Sequence, residues 1–175
     1  AEASFIARTM DRDPKHLQAM LLRSQAHKGA SFLEIYQNCN IFNDGAFEIF
    51  TEKKTKPDEV LFLEQGKPLV FGATQNKGIK LDGFKPVIVD LAEGASTDDL
   101  WVHDEKDFYK AQILIRMFDD PKLEGHLPRP FGVFYETERA CYEDSMVMQI
   151  EEVIAKKGKG DLDKLLKGNE TWVIG

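Results

Sequence analysis

Two different periods of apolar positions alternate along the first third of the chain. Ser4-Phe5-Ile6-Ala7 is a compact run read as a short buried strand. Thr9 to Asp13 is polar, and Asp13-Pro14 has the form of a helix start, since Asp accepts from free N–H groups and Pro is tolerated in the first turn. Leu17, Met20, Leu21 and Ser24 then recur at helical spacing, with Leu22 and Ala26 beside them. His27-Lys28-Gly29 closes that helix with cations at the negative dipole end, followed by glycine. Ser31 to Tyr36 is strand-like again. A strand, helix and strand joined by tight turns imply a right-handed crossover and parallel pairing. Two strands are too little sheet for independent stability. The remainder of the chain does not look able to supply the rest of the sheet. A large exposed apolar surface is therefore expected over residues 1–45.

Downstream the pattern is less regular. Ala46 to Phe50 reads as a short helical or turn segment, and TEKKTKPDE after it as a charged, aperiodic loop. Val60 to Leu63 and Pro68 to Gly72 flank Glu64-Gln65-Gly66-Lys67, which reads as a hairpin. The glycine-rich run Ala73 to Gly83 is expected to be a surface loop, Lys85 to Asp90 a strand, and Leu100 to Asp104 a short strand or its end. Phe108, Ala111, Ile115 and Phe118 form one helical face between Lys106 and Asp119. Prolines 121, 128 and 130 break the chain before the strand Phe131 to Tyr135. A second clear helix begins at Asp144. Its stripe of Met146, Ile150, Val153 and Ile154 is expected to be core. A short capped helix over 160–166 and the run Thr171 to Ile174 close the chain, and no internal repeat is visible.

Composition narrows the classes. The chain has 175 residues with 42% apolar positions, enough for one domain with an appended lobe. A net charge of −7 without a basic stripe argues against nucleic acid as a partner. No apolar run approaches the roughly 20 residues that span a bilayer. The start, AEASFIARTM, has no initiator Met and no signal-peptide pattern, so the chain reads as a processed product or a fragment. Cys39 and Cys141 are its two cysteines. A single bridge would not make a secreted framework, so two thiols in a reducing cytoplasm are expected.

Candidate chemistry is sparse. His16, His27, His103 and His126 lack a second His or Cys at metal-binding spacing. His103-Asp104-Glu105 reads either as an acid/base cluster or, the favoured reading, as a surface cluster at a strand end. No nucleophile elbow, phosphate loop or dinucleotide fingerprint occurs. The stretch EIYQNCNIFNDG, Glu34 to Gly45, is the exception. It places Cys39 just beyond a strand, where α/β proteins usually carry their chemistry. A thiol there is a nucleophile, a metal ligand or inert filler. The residues alone leave all three open, with the inert thiol as default. A four-iron cluster needs four thiolates, so two cysteines cannot build one within this chain alone.

The run FIARTMDRDPKHLQAMLLRSQAHKGASFLEIYQNCNIFNDGAF resembles the β subunit of 2-oxoacid:ferredoxin oxidoreductases, and EIYQNCNIFNDGAF resembles the 2-oxoglutarate type most closely. LEQGKPLVFG, LWVHDE, FGVFYE and GDLDKLLKGNETW resemble later parts of the same subunit. The resemblance implies an α/β fold. Residues 1–50 would be the last βαβ unit of a thiamine-diphosphate-binding, parallel-sheet domain, and residues 51–175 a mixed α+β C-terminal lobe. It implies an oxidoreductase that decarboxylates a 2-oxo acid to an acyl-coenzyme A. Its cofactors would be thiamine diphosphate, Mg²⁺ and a 4Fe-4S cluster, and its partners an α subunit and ferredoxin. Cys39 matches the family's fourth cluster ligand, and Phe42 and Asn43 lie where they would shape the cofactor neighbourhood. The family's GDG run and CxxC, which precede this region, are absent from the chain, and Asn38 stands where many members have proline. The chain by itself is therefore expected to be inactive. Two other readings remain: a non-catalytic module that docks on a partner subunit, and a thiol enzyme using Cys39.

Overall fold

A computed structural model of the chain describes residues 3–169, 171, 172 and 174. The predicted βαβ unit is present: β1 (Phe5–Met10), α1 (Pro14–Ala26) and β2 (Ser31–Tyr36), with β1 and β2 parallel and Met10 opposite Tyr36. Asp13 caps α1 by accepting from the backbone N–H of His16, and Pro14 stands in the first turn. Gly29, at φ +127°, makes the turn into β2, where a Cβ would strike the Ser4 hydroxyl.

The sheet does not stop at two strands. Beyond β2 the chain forms α2 (Glu48–Thr51), α3 (Lys56–Glu59), β3 (Val60–Phe62), β4 (Val70–Phe71), β5 (Lys77–Asp82), β6 (Lys85–Asp90), α4 (Phe108–Arg116) and β7 (Arg129–Glu136). The order of the main sheet is β2-β1-β7-β3, with β7 antiparallel to β1 and parallel to β3. β7 and β3 thus complete the sheet from within the chain, which corrects the expectation that its remainder could not supply the missing strands. Within β7, Gly132, at φ +128°, lies where a Cβ would be 2.7 Å from the Leu63 carbonyl oxygen. A substituted residue there would force β3 away.

Several expectations need correction. Val60–Leu63 and Pro68–Gly72 are not hairpin partners: β3 joins the main sheet, while β4 pairs with β5 in a second sheet, β4-β5-β6. The glycine-rich run is not one loop, because β5 lies within it. β5 and β6 form a two-residue hairpin with Gly83 at φ +60° in the first turn position. Glycine there reflects turn geometry rather than mobility. The charged loop holds the single turn α3. On α4 the buried positions are Ala111 and Leu114, with Met117 just beyond, and Ile115 and Phe118 lie outward. Of the expected face only Ala111 is buried, and Phe108, Ile115 and Phe118 are exposed.

The core explains these changes. Phe5, Ala7 and Val133 on one face of the sheet pack under Met20 of α1. On the other face Phe134 joins Leu61, Leu63, Leu69, Phe71, Ile79, Trp101, Leu114 and Met117, which bind the second sheet and α4 to the first. A third cluster, Met10, Tyr36, Phe50, Val60 and Phe131, fills the end of the sheet where β1 and β2 leave it. β2 remains an edge strand, and its Phe32 and Ile35 are exposed, as are Leu21 and Leu22 of α1. Single apolar side chains of residues 1–45 are exposed, and the sheet itself extends further than the sequence suggested.

Residues 1–139 form one compact unit and residues 140–175 a second. The second contains α5 (Tyr142–Lys157), which ends at Gly158 with φ +77°, and α6 (Leu162–Lys167), capped by Asp161. No residue of α5 is buried. Its Met146, Ile150, Val153 and Ile154 are exposed, which corrects the expectation that this stripe is core.

Candidate functional site: the Cys39 loop

β2 delivers Tyr36, which is buried, and the chain then turns out of the sheet. The Tyr36 ring stacks on Phe47 at 4.3 Å and meets Phe131 edge-on at 5.2 Å. This aromatic floor anchors both ends of the intervening loop. The loop is tied within itself by Asn38, whose side-chain amide donates to Asn40 Oδ1 (2.8 Å) and Asp44 Oδ1 (2.9 Å). Asn38 Oδ1 in turn accepts from Gly45 N–H at 2.9 Å. A proline at this position would have neither amide donors nor this acceptor. Asn43 N–H donates to the Cys39 carbonyl at 3.0 Å, and Gly45, at φ +75°, reverses the chain toward α2.

Cys39 is half-buried at the centre of this loop and is a free thiol. The backbone N–H groups of Phe42 and Ile41 hold its thiol below the ordinary range; slight burial opposes them, and Asn43 N–H adds to the lowering. A ring of N–H donors around a sulfur favours the thiolate, the form that attacks electrophiles and binds metals. Ile41 and Phe42 stand 83% and 89% exposed, so the two most exposed positions of the loop are apolar. Asn43 is exposed beside them, its N–H engaged as above. The structure therefore gathers Cys39, Phe42 and Asn43 in one five-residue turn.

Among the described residues no three His, Cys, Asp or Glu side chains come together as a metal site. The loop fits one thiolate corner of an iron–sulfur cluster, and within this chain it fits no more than that. Clefts of about 660 and 520 Å³ lie elsewhere. The first is walled by Val60, Phe62, Pro68 and Phe71 and the second by His16, Met20, Arg23 and Glu105, so neither includes the Cys39 loop.

The His103 cluster is not a surface feature. His103 is buried, its Nε2–H donates to the Val133 carbonyl at 2.8 Å, and burial pushes its pKa down. Glu105 is buried too, and it accepts both Arg23 guanidinium N–H groups at 2.8 and 2.7 Å. Arg23 also pairs with Glu136. Glu105 is held by this ion pair. Of the three, only Asp104 is exposed.

Two residues near the loop were missed by sequence reasoning. Arg8 is buried under the rings of Tyr36, Phe118 and Phe134, pairs with Glu34, and donates to the Pro130 carbonyl at 3.1 Å. Arg129 donates to the Tyr36 hydroxyl at 2.8 Å and the Asp119 carbonyl at 2.9 Å, and lies 3.6 Å from the Phe118 ring centre. Its Nε has no partner among the described residues. The available signal was a lone arginine inside each of two otherwise apolar strand runs, FIARTM and RPFGVFYE.

No protein-family model matches the chain. It is 31% identical over 177 aligned residues, 99% of its length, to the 2-oxoglutarate oxidoreductase subunit KorB of Mycobacterium tuberculosis. The chain is similar to that subunit along nearly all of its own length. It spans about half of the relative, 46% of its length. Its fold resembles a solved 2-oxoglutarate:ferredoxin oxidoreductase from Magnetococcus marinus, a structure with 2-oxoglutarate, coenzyme A and succinyl-CoA bound. That likeness has a TM-score of 0.53 at 16% identity and covers 96% of this chain and 41% of the solved one. The α/β fold expected from the sequence is thus shared with that solved oxidoreductase. No helix among the described residues is long and apolar enough to cross a membrane.

Proposed function

We propose that this chain is the C-terminal part of the β subunit of a cytoplasmic 2-oxoacid:ferredoxin oxidoreductase of the 2-oxoglutarate type. In this reading residues 1–50 complete a thiamine-diphosphate-binding domain and residues 51–175 are the subunit's C-terminal region. Cys39 supplies one thiolate to a 4Fe-4S cluster whose other ligands come from outside the chain. When bound, the cluster would pass single electrons toward ferredoxin, and thiamine diphosphate with Mg²⁺ would supply the chemistry on the 2-oxo acid. The role of this chain is to present the sulfur. β2 fixes where the loop leaves the sheet, Asn38 holds its shape, and the N–H groups of Phe42 and Ile41 stabilise negative charge on Sγ. Phe42 and Asn43 line the cofactor side, where Phe42 excludes water. An α subunit and coenzyme A complete the reaction, and the 175-residue chain alone has no activity.

The observation that carries this is the N–H-ringed thiol at a strand exit, in a chain similar to KorB along 99% of its length. The test is Cys39→Ser in the intact subunit assembled with its partner. Iron content should fall and electron transfer to ferredoxin should be lost, while thiamine diphosphate stays bound. Unchanged iron would remove Cys39 from the ligand set. Oxidation of 2-oxoglutarate by the 175-residue chain alone would overturn the larger proposal.

A further inference from the structure

Between α4 and β7 the chain passes through residues 119–127, none of which is fully buried. The hydrogen bonds that shape this segment are local. Lys122 N–H donates to Asp120 Oδ1, Leu123 N–H to the Asp120 carbonyl and Leu127 N–H to Asp119 Oδ2, each at 3.0 Å. One side chain of residues 120–126 reaches a distant element. It is His126, whose Nε2 lies 2.7 Å from Oε2 of Glu59, the last residue of α3. Among the described residues this is the only hydrogen bond or ion pair that ties that stretch to another element. A segment with few buried contacts opens at small cost, so a single distant bond has a large share in keeping it closed.

Both nitrogens of the ring face acceptors. Nδ1 lies 2.8 Å from the Leu123 carbonyl oxygen, and Nε2 faces the Glu59 carboxylate. A neutral imidazole carries one N–H, so one of these contacts would set a nitrogen lone pair against an oxygen. Only the imidazolium donates to both. The charged groups that act on the ring are two carboxylates, Glu59 from α3 and Asp119 from the start of the segment. Burial by itself lowers the pKa of His126, but the Leu123 carbonyl, Glu59 and Asp119 outweigh it and raise the value above 6.5. We propose that His126 is a proton-dependent latch that ties residues 119–127 to α3 while its ring holds two protons and releases them when it loses one. The tie is complete below the unfolded value of about 6.5 and is lost as pH rises through the raised folded value. Nothing in this proposal depends on the role of Cys39.

NMR of the 175-residue chain between about pH 5.5 and about pH 9 tests it, a range that brackets histidine titration. The His126 ring should titrate with a midpoint above about 6.5, and Glu59→Gln should bring that midpoint down. Amide exchange reads the latch itself. Corrected for ordinary base catalysis, the Leu127 amide should lose protection at least about threefold from the acid to the alkaline end, while the amides of β1 keep theirs. In His126→Gln the corrected protection of Leu127 should no longer depend on pH. A plain structural bond would give no such pH-dependent local opening. A His126 midpoint at or below about 6.5, or Leu127 protection equal at both ends of the range, would overturn the proposal. So would loss of protection in β1 together with Leu127, or a pH dependence that survives in His126→Gln. The titration and the exchange of the unaltered chain decide the matter even where a variant fails to fold.

Discussion

The His103–Glu105 cluster and the Cys39 loop were both candidates for chemistry, the loop the stronger, and the fold treats them in opposite ways. In the cluster, Nε2 of His103 is taken by a strand carbonyl and Glu105 by both arms of Arg23. Burying a polar group is costly unless it is partnered, and the partner that makes burial tolerable also removes the group from catalysis. In the loop, the polar atoms of Asn38 are tied to neighbours while the sulfur of Cys39 receives N–H groups and remains reachable. Reactive residue types alone do not mark a site. What distinguishes the loop is a functional atom whose surroundings stabilise its charged form without covering it.

The contrast can be broken most forcefully in the floor the loop stands on. Phe131 is fully buried between Tyr36 and Phe50, and Phe131→Ala should cost about 3–5 kcal/mol in urea unfolding. A loss below about 1 kcal/mol would mean that the aromatic floor is not a packed core. Next, Glu105→Gln should cost about 1–3 kcal/mol. That is less than a fully buried pair would give, because the Arg23 side chain is 39% exposed. No change in the urea midpoint would show that the cluster is not structural.

Acidification should sharpen the same difference. Burial lowers the pKa of His103 and of His16, so the unfolded chain binds protons that the folded chain resists. Their contribution is fully present above the unfolded value of about 6.5 and falls as pH drops below it. His126 runs the other way. Burial by itself would lower its pKa, but the Leu123 carbonyl and the Glu59 carboxylate together raise it. Its contribution is present at low pH and fades as pH rises through the raised value. The acid-side loss between pH 7 and 5 should therefore be smaller in His103→Gln than in the wild type, when each is referenced to its own stability at pH 7. An unchanged slope would count against a neutral buried imidazole.

The smallest expected effects lie in the loop. Replacing Ile41 and Phe42 together by Ser should shift stability by no more than about 0.5 kcal/mol, since neither side chain is packed. Alkylation of Cys39 by iodoacetamide, followed by mass spectrometry against pH, should show a midpoint below that of a free thiol such as glutathione. A midpoint at or above glutathione would mean that the N–H groups do not act on the sulfur.

Local order along this chain was determined by the sequence itself. Asp13-Pro14 capped α1, the period-2 run from Ser31 made β2, and the parallel βαβ unit followed from handedness alone. The position of Cys39 at a strand exit was equally legible, because a strand end and an Asn-Asp-Gly turn are local features. Pairing over long separations was not. β7 reaches β1 across more than a hundred residues, and β3 chose β7 over the adjacent β4. Short apolar runs carry no mark of their partner, so only three-dimensional closure of the core decides it. The same holds for burial. Helical spacing showed that α5 has an apolar face, but whether that face meets another layer depends on what surrounds it. His103 reversed its expected place for the same reason, because the residues that enclose it belong to β7, thirty positions away.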